Sequence, residues 1–422
     1  MIKYSKHKLE NGLTVIVHQD LSVQIAVLNI IYNVGSKDET ADKTGFAHLF
    51  EHLMFGGSTH CLDFDSELQN VGGENNAFTS TDVTNYYMTV PASNIETAFW
   101  LESDRMENLL LNKKSLEVQR KVVIEEFKQR YLNQPYGDVW LKLRPLVYGS
   151  HSYSWATIGK EIKQIEDATL DDVAAFHKKY YSPNNATLVL GGNISEEKAL
   201  EFANKYFGQI KSSQDIIRNY GTIPTQTEKK TLTIAANVPQ KAIYMVYHMP
   251  DRMHQDYYAI DLLSDVLGRG NSSRLYKSLV LEKQLMTSIS ASLTGSFLPG
   301  LFVISGRIND GHTFEEVEKA INEVICEIQT IETPTLELQK VKNQAEASII
   351  FDRTEVLERC ISIAYADLLG DTDLVNKELD LILNVTAEDI KTQAIQILKE
   401  NNCSVLYYDT KPNTENNDES NL

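Results

Sequence analysis

Residues 45–55 read Gly-Phe-Ala-His-Leu-Phe-Glu-His-Leu-Met-Phe, and the pair Gly56-Gly57 follows them. The apolar residues recur with helical spacing, and glycines in this position commonly end a helix. On a helix, His48 and His52 lie four residues apart and therefore share one face. Glu51 lies at the edge of that face. The stretch predicts a short, largely buried helix that carries three polar side chains.

Two histidines on one helical face can occupy two of the four tetrahedral positions of a zinc ion. A carboxylate beside them can accept a proton from a water whose pKa the zinc lowers to about 7. The order H-x-x-E-H at residues 48–52 is the inverse of the common metalloprotease order. The alternative is a helix that carries these residues by coincidence. The apolar neighbours favour zinc, because buried His and Glu side chains need partners that a metal would provide.

A catalytic zinc needs a third protein ligand and leaves a fourth position open. The candidate segment is Arg-Lys-Val-Val-Ile-Glu-Glu at residues 120–126, inside a predicted helix. Spacing alone does not choose between Glu125 and Glu126. A pair of exposed helical acids is the alternative interpretation, because most adjacent glutamates lie in solvent.

Composition limits the function classes. The chain has 422 residues, enough for two or three domains, and a net charge of −18. This charge argues against nucleic acid as a partner, because nucleic-acid binding needs a basic surface. No run of about 18 apolar residues is present, so no membrane span is expected. The N-terminus lacks the apolar core of a signal peptide, which predicts a cytoplasmic protein, or a periplasmic one if a leader was removed.

The order of predicted elements repeats after about 200 residues. A hairpin around Asn11-Gly12, a buried strand at 25–34 and the helix quoted above precede one long strand at 76–90. A strand at 241–249 and a helix at 258–267 restart the order. The predicted fold is α+β, with a zinc-bearing catalytic domain at 1–212, a linker at 213–230, a homologous non-catalytic domain at 231–410 and a disordered tail at 411–422.

These segments resemble the pitrilysin and insulin-degrading-enzyme family of zinc peptidases, the inverzincins. The chain looks most like the small bacterial members that are similar to mitochondrial processing peptidase. Residues 45–55 are similar to the family's zinc helix, and residues 120–126 to its third-ligand segment. Residues 72–80, Gly-Gly-Glu-Asn-Asn-Ala-Phe-Thr-Ser, are similar to the strand that holds the substrate. The resemblance covers essentially the whole chain.

The resemblance implies a zinc-dependent endopeptidase that hydrolyses extended or unfolded peptides, with one Zn²⁺ and Glu51 as the general base. It implies His48, His52 and Glu126 as the metal ligands, because the family's third ligand is the last acid of its segment, 74 residues after the second histidine, as Glu126 is here. It implies two structurally repeated α/β-roll domains, each a mainly antiparallel sheet with helices packed on it. Where the family often has a supporting glutamate, seven residues before the ligand, this chain has Gln119.

In this family the substrate binds to one strand of the protein as an added strand. The resemblance places Asn76, Ala77, Phe78 and Thr79 at this position. Main-chain pairing accepts many sequences, so side-chain preference has to arise elsewhere. For Phe78, an ordinary core aromatic is the alternative interpretation.

The second half departs from the first half and from the family. Asp261, Ser264 and Asp265 stand at the positions of the two histidines and the glutamate, so one metal site is expected. Many active family members carry an Arg and a Tyr that stabilise the oxyanion, whereas Val280 and Thr287 occupy those positions here. The resemblance therefore implies a dimer, preferably a heterodimer with a homologous subunit that lacks the zinc motif and supplies the pair. The alternatives are a non-catalytic scaffold and a peptide-binding subunit that keeps zinc for stability.

Overall fold

The structure is a computed structural model that describes residues 1–411. Within them the chain forms two compact units, of which the first comprises residues 1–132, 140–224 and 344–381, and the second comprises 133–139, 225–343 and the described residues from 382 onward. The sequence-based boundaries differ in three respects. They assign residues 344–381 to the second domain and residues 133–139 to the first, and the predicted linker 213–230 divides between the two units after residue 224. Apart from Lys411, the predicted disordered tail lies outside the described residues.

The elements before residue 210 belong to the first unit. Its strands are β1 (Ser5–Lys8), β2 (Thr14–Gln19), β3 (Ile25–Tyr32), β4 (Glu74–Thr79), β5 (Thr84–Pro91) and β6 (Ala186–Gly192). The helices in this part are α1 (Phe46–Leu53), α2 (Phe64–Asn70), α3 (Ile95–Asn108), α4 (Lys113–Phe127), α5 (Val139–Tyr148), α6 (Ile162–Glu166), α7 (Leu170–Tyr180) and α8 (Glu196–Phe207). A π-helical turn, Lys128–Leu132, follows α4 directly.

The strands of the first unit form one sheet in the order β1-β2-β6-β3-β5-β4. β2 and β6 run parallel, and every other neighbouring pair is antiparallel. The predicted hairpin is present, with Lys8 paired to Thr14 and a φ of 90° at Gly12 in the turn. Glycine adopts this conformation without the steric cost that a side chain adds. The central strand β3 is buried from Ala26 to Tyr32, which explains its nearly continuous apolar sequence.

The predicted single strand at 76–90 is wrong, because the chain turns back inside it. β4 and β5 form an antiparallel hairpin in which Thr79 pairs with Thr84. At the turn, the Ser80 N–H donates to the Val83 carbonyl at 2.8 Å, and the Val83 N–H donates to the Ser80 hydroxyl at 3.0 Å. Serine favours such turns because its hydroxyl bonds to nearby backbone groups. β4 is therefore an edge strand, with β5 as its one strand partner among the described residues.

The later elements begin after an irregular segment. The strands are β7 (Lys230–Ala236), β8 (Ala242–Met249), β9 (Met286–Leu293), β10 (Gly300–Ile308) and β11 (Cys403–Thr410). The helices are α9 (Tyr257–Gly268), α10 (Phe314–Thr330), α11 (Thr335–Asp352), α12 (Val356–Leu368), α13 (Leu374–Leu383) and α14 (Ala387–Ile397). Of these, α12 lies in the first unit, where it packs on β3 and β6, and the first unit also includes residues 344–352 of α11 and 374–381 of α13. No helix in the described part of the chain is long and apolar enough to cross a bilayer.

The sheet of the second unit has the order β7-β11-β8-β10-β9. β7 and β11 run parallel, and the other neighbouring pairs are antiparallel. This is the order and direction of β2-β6-β3-β5-β4 in the first unit, so the two sheets follow one plan. The predicted α+β repeat is confirmed, although the sequence-based element order did not include β7 and β11.

Apolar packing fixes the position of α1 in the first unit. Leu49, Phe50 and Leu53 are buried, and each such side chain contributes about 1.5–3 kcal/mol when it leaves water. The Phe50 ring stacks on Phe176 of α7 and on Tyr181, with centroid distances of 5.0 and 5.2 Å. Helix α4 also packs against α1. The polar face of α1 is therefore directed toward α4.

Candidate metal centre

One buried carboxylate fixes the N-terminus of α1. The Gly45 N–H donates to one oxygen of Glu39 at 2.9 Å, and the Ala47 N–H donates to the other at 2.8 Å. Burial raises the pKa of Glu39 to about 8. Gly45 has a φ of +86°, and a Cβ there would lie 2.6 Å from the Ile158 carbonyl oxygen. Only glycine fits this position, so the helix begins at a defined residue.

Helices α1 and α4 bring the three predicted metal ligands together. Nε2 of His52 lies 3.3 Å from Oε2 of Glu126, and Nε2 of His48 lies 3.6 Å from the same oxygen. One possible ligand atom from each residue lies within 4.8 Å of the other two. Across residues 1–411, no other group of three or more His, Cys, Asp or Glu side chains is close enough to hold a metal ion.

Of the two adjacent glutamates on α4, only Glu126 faces the histidines. Its side chain is 17% exposed, whereas that of Glu125 is 60% exposed and pairs with Lys128 at 2.7 Å. Consecutive residues on a helix point about 100° apart, so both side chains cannot face α1. The rotation of α4 about its axis therefore makes the choice that spacing left open.

The three side chains fit a zinc ion in chemistry as well as in position. Burial lowers the pKa of His48, which favours the neutral imidazole that a metal requires. The contact with His52 lowers the pKa of Glu126, which favours the carboxylate. Two imidazole nitrogens and one carboxylate oxygen are a donor set of catalytic zinc sites.

Two ionisable side chains that contact Glu126 or the start of α1 were missed in the sequence. Nη1 of Arg130, in the π-helical turn after α4, contacts Oε1 of Glu126 at 2.8 Å and leaves Oε2 toward the imidazoles. Its i,i+4 spacing is that of a helical ion pair, so the sequence did hold a signal for it. Glu39 lies in a loop six residues before Gly45, and no local pattern indicates that it contacts α1.

Glu51 lies on α1 beside the ligands and is not part of the group of three. The hydroxyl of Thr79, the last residue of β4, donates to Oε2 of Glu51. Burial raises the pKa of Glu51, although the Thr79 contact opposes this shift. A carboxylate with a raised pKa is a stronger base than one exposed to water, as proton abstraction near neutral pH requires.

The four predicted substrate residues lie on β4 and divide between its two faces. Ala77 and Thr79 are half-buried on one face, and Asn76 and Phe78 are exposed on the other. This division follows from the two-residue period of a strand. The Ala77 N–H donates to Oδ1 of Asn76 at 2.8 Å. The position of β4 at the sheet edge leaves one side of its backbone available to another strand.

The corresponding helix of the second unit, α9, has two short-range polar contacts at these positions. The Ser264 hydroxyl donates to the Asp261 carbonyl at 2.8 Å, and Asp265 pairs with Arg269 at 3.0 Å. Farther along, Val280 lies in the π-helical segment Tyr276–Glu282, and Thr287 lies on β9. In the family these two positions often carry an Arg and a Tyr. Neither Val280 nor Thr287 offers a positive charge or a phenol.

Two family models match the chain. The model described as insulinase (peptidase family M16) matches residues 14–138, and the model described as peptidase M16 inactive domain matches residues 167–345. The zinc protease PqqE of Helicobacter pylori is 30% identical over 380 residues, which cover 88% of this chain and 84% of that protein. The uncharacterized zinc protease YmxG of Bacillus subtilis is 23% identical over 406 residues, which cover 95% of this chain and 96% of that protein.

Solved structures share the architecture. The crystal structure of a protease from Helicobacter pylori matches with a TM-score of 0.92 and 27% identity, covering 98% of this chain and 100% of that one. Pitrilysin matches in fold with a TM-score of 0.77 and 19% identity, and the match covers 99% of this chain and 46% of pitrilysin. The repeated sheets, the family models and these relatives agree: the chain belongs to peptidase family M16, the insulinase and pitrilysin family of zinc proteases.

Proposed function

We propose that this protein is a zinc-dependent endopeptidase that hydrolyses extended or unfolded peptides. The observation that carries the proposal is the convergence of His48, His52 and Glu126 on α1 and α4, with Glu51 beside them. Both relatives are named as zinc proteases, which supports the same class of reaction. When bound by these three ligands, one zinc ion would supply Lewis acidity, lowering the pKa of a water to about 7 and polarising the scissile carbonyl.

Glu51 is the residue proposed to move the proton. Its carboxylate would accept a proton from the attacking water and give it to the leaving amine as the C–N bond breaks. The products are then a new carboxylic acid and a new amine, with no proton left on Glu51. The acid gives its remaining proton to the amine or to water at neutral pH. Burial raises the pKa of Glu51 and so suits both the gain and the loss of this proton.

The exposed edge of β4 is the proposed binding place for the peptide. An extended chain could pair with the outward backbone groups of residues 75–79, as an added strand. Such pairing needs an extended substrate and reads little of its sequence. Unfolded peptides are therefore expected to be better substrates than folded proteins.

Glu51→Gln tests the proposed reaction. Glutamine keeps the size of the side chain and cannot act as the base, so turnover of an unstructured fluorogenic peptide should fall by at least about 100-fold. Bound zinc, measured by elemental analysis, should stay at the wild-type level. Glu125→Gln, on the exposed side of α4, is the matched control and should leave both values unchanged.

Unchanged turnover in Glu51→Gln would reject Glu51 as the base. A zinc-loaded wild type without turnover, alone or with a related subunit, would instead favour the scaffold or peptide-binding alternative.

We further propose that a homologous subunit without the zinc motif completes the enzyme as a heterodimer. The support is the presence of Val280 and Thr287 where an Arg and a Tyr would stabilise the oxyanion. The chain purified alone should then cleave peptides poorly, and a homologue that lacks H-x-x-E-H and carries the pair should restore activity on mixing. Full activity of the isolated chain would contradict this part of the proposal.

A further inference from the structure

Thr79 shares its strand with the proposed peptide-binding residues, yet its side chain faces the other way. Strand alternation places Thr79 on the half-buried face of β4, opposite the exposed Asn76 and Phe78. Its hydroxyl donates to Oε2 of Glu51 on α1. The side chain is therefore occupied by the proposed base.

The backbone on both sides of Thr79 is rigidly held. On one side it belongs to the β4–β5 ladder, where Thr79 pairs with Thr84. On the other side, Asp82 in the turn forms a buried ion pair with Lys37 at 3.0 Å and accepts a hydrogen bond from the Tyr153 hydroxyl at 2.5 Å. A hydroxyl on such a backbone has little freedom, so it can hold a carboxylate in one orientation.

We infer that Thr79 is a positioning residue for Glu51, which holds one carboxylate oxygen so that the other is directed to the proton it accepts. This inference rests on the proposed function, because it assigns a task to the base of that reaction. It also means that the strand proposed to bind the peptide is the strand that orients the base. Peptide binding and base orientation would then be set by one rigid hairpin.

The two possible roles of Thr79 make different kinetic predictions. A side chain that contacts the substrate in the ground state changes KM when it is removed, whereas one that orients the base changes kcat. Thr79→Val removes the hydroxyl, keeps the shape and retains a residue that favours strands, so the hairpin should persist. Thr79→Ser keeps the hydroxyl and serves as the conservative variant.

With an unstructured fluorogenic peptide, Thr79→Val should lower kcat by at least about tenfold, the lower end of the effect of losing one hydrogen bond to a charged group, and leave KM within about twofold. Thr79→Ser should stay within about threefold of the wild-type kcat. Zinc content should be equal in all three proteins. Thr89→Val, which makes the same change on β5 beside Glu74 and away from Glu51, should match the wild type. A Thr79→Val enzyme with raised KM and normal kcat, or with no change in either, would overturn the inference.

Crystal structures test whether Thr79 positions Glu51 even if the wild type proves inactive and the proposed function fails. In zinc-loaded wild type, the Thr79 hydroxyl should lie within hydrogen-bond distance of Glu51, and in Thr79→Val the Glu51 carboxylate should turn or lose its single conformation. An identical Glu51 conformation in both structures would overturn the inference independently of any activity.

Discussion

Helices α1 and α9 follow corresponding strands in two sheets of the same order, and they use their polar residues in opposite ways. On α9, Asp265 pairs with Arg269 one turn later, and Ser264 bonds back to the helix carbonyl of Asp261. On α1, His48 and His52 face a carboxylate from a different helix. These two α9 contacts are local, whereas the α1 histidines converge on a point outside their own helix.

The difference shows that a repeated topology does not by itself repeat a site. A helix follows β3 in the first unit and β8 in the second, and these two strands have the same place in the two sheets. A metal centre needs in addition a ligand from a neighbouring element, and α4 supplies Glu126 to α1. The first unit is therefore the copy of the plan that carries the candidate metal centre, and the corresponding helix of the second unit has no such group of ligands among the described residues.

The largest expected effect comes from removing one histidine. His48→Ala or His52→Ala should abolish stoichiometric zinc binding and lower peptide hydrolysis by at least about 100-fold, because a two-ligand site is far weaker than a three-ligand one. Asp265→Ala, the matched change on α9, should keep one zinc per chain and the activity of the wild type measured in the same assay. Elemental analysis measures the zinc content, and a peptide assay measures the hydrolysis. Zinc retained by His48→Ala, or lost by Asp265→Ala, would break the comparison.

The next effect distinguishes the adjacent glutamates of α4. Glu126→Gln should weaken zinc binding by more than the 10–100-fold that losing an outer-shell partner costs, because it removes a charged ligand. Glu125→Gln should bind zinc as the wild type does, since Glu125 contacts Lys128 on the helix surface. Competition with a chromophoric chelator measures the affinity. If both variants lost the same zinc affinity, the loss would come from the removed negative charge and not from the removal of a metal ligand.

A smaller effect is expected at the start of α1. Glu39→Gln replaces one of two acceptor oxygens by an NH₂ group, so either the Gly45 or the Ala47 N–H loses its partner. Leaving one buried donor unsatisfied should reduce the free energy of unfolding by about 1–3 kcal/mol. Urea unfolding of the zinc-free protein measures this, with Glu125→Gln as the exposed control. If Glu39→Gln lowered the free energy of unfolding no more than the control does, the Glu39 contacts would not fix the start of the helix.

The smallest effect is expected on α9. Arg269→Ala removes an i,i+4 ion pair with Asp265 and should change the free energy of unfolding by about 0.2–0.5 kcal/mol. Zinc content should not change. If Arg269→Ala lowered zinc binding, the two helices would be coupled and the comparison between them would need revision.

Much of the fold and of the site was predictable because the relevant signals are local. Spacing of three and four residues placed the two histidines and Glu51 together, and Asn11-Gly12 indicated the hairpin that the structure contains. The hairpin at 80–83 was missed because Thr, Val, Tyr and Phe dominate residues 76–90 and hide a short turn. β7 and β11 were missed although both have local strand signals, alternation at residues 231–234 and Val-Leu-Tyr-Tyr at residues 405–408. Their parallel pairing, which joins segments about 170 residues apart, has no local pattern.

By itself, the sequence determined that an apolar helix carries H-x-x-E-H, that the chain repeats an α+β plan, and that the repeat holds one such motif. Spacing left Glu125 and Glu126 open, the resemblance implied Glu126, and the tertiary structure places Glu126 at the histidines. Only the tertiary structure decided that Glu39 holds the helix start and that Thr79 contacts Glu51. The reason is physical. Periodicity fixes which residues share a face of one element, whereas the rotation and packing of separate elements fix which faces meet.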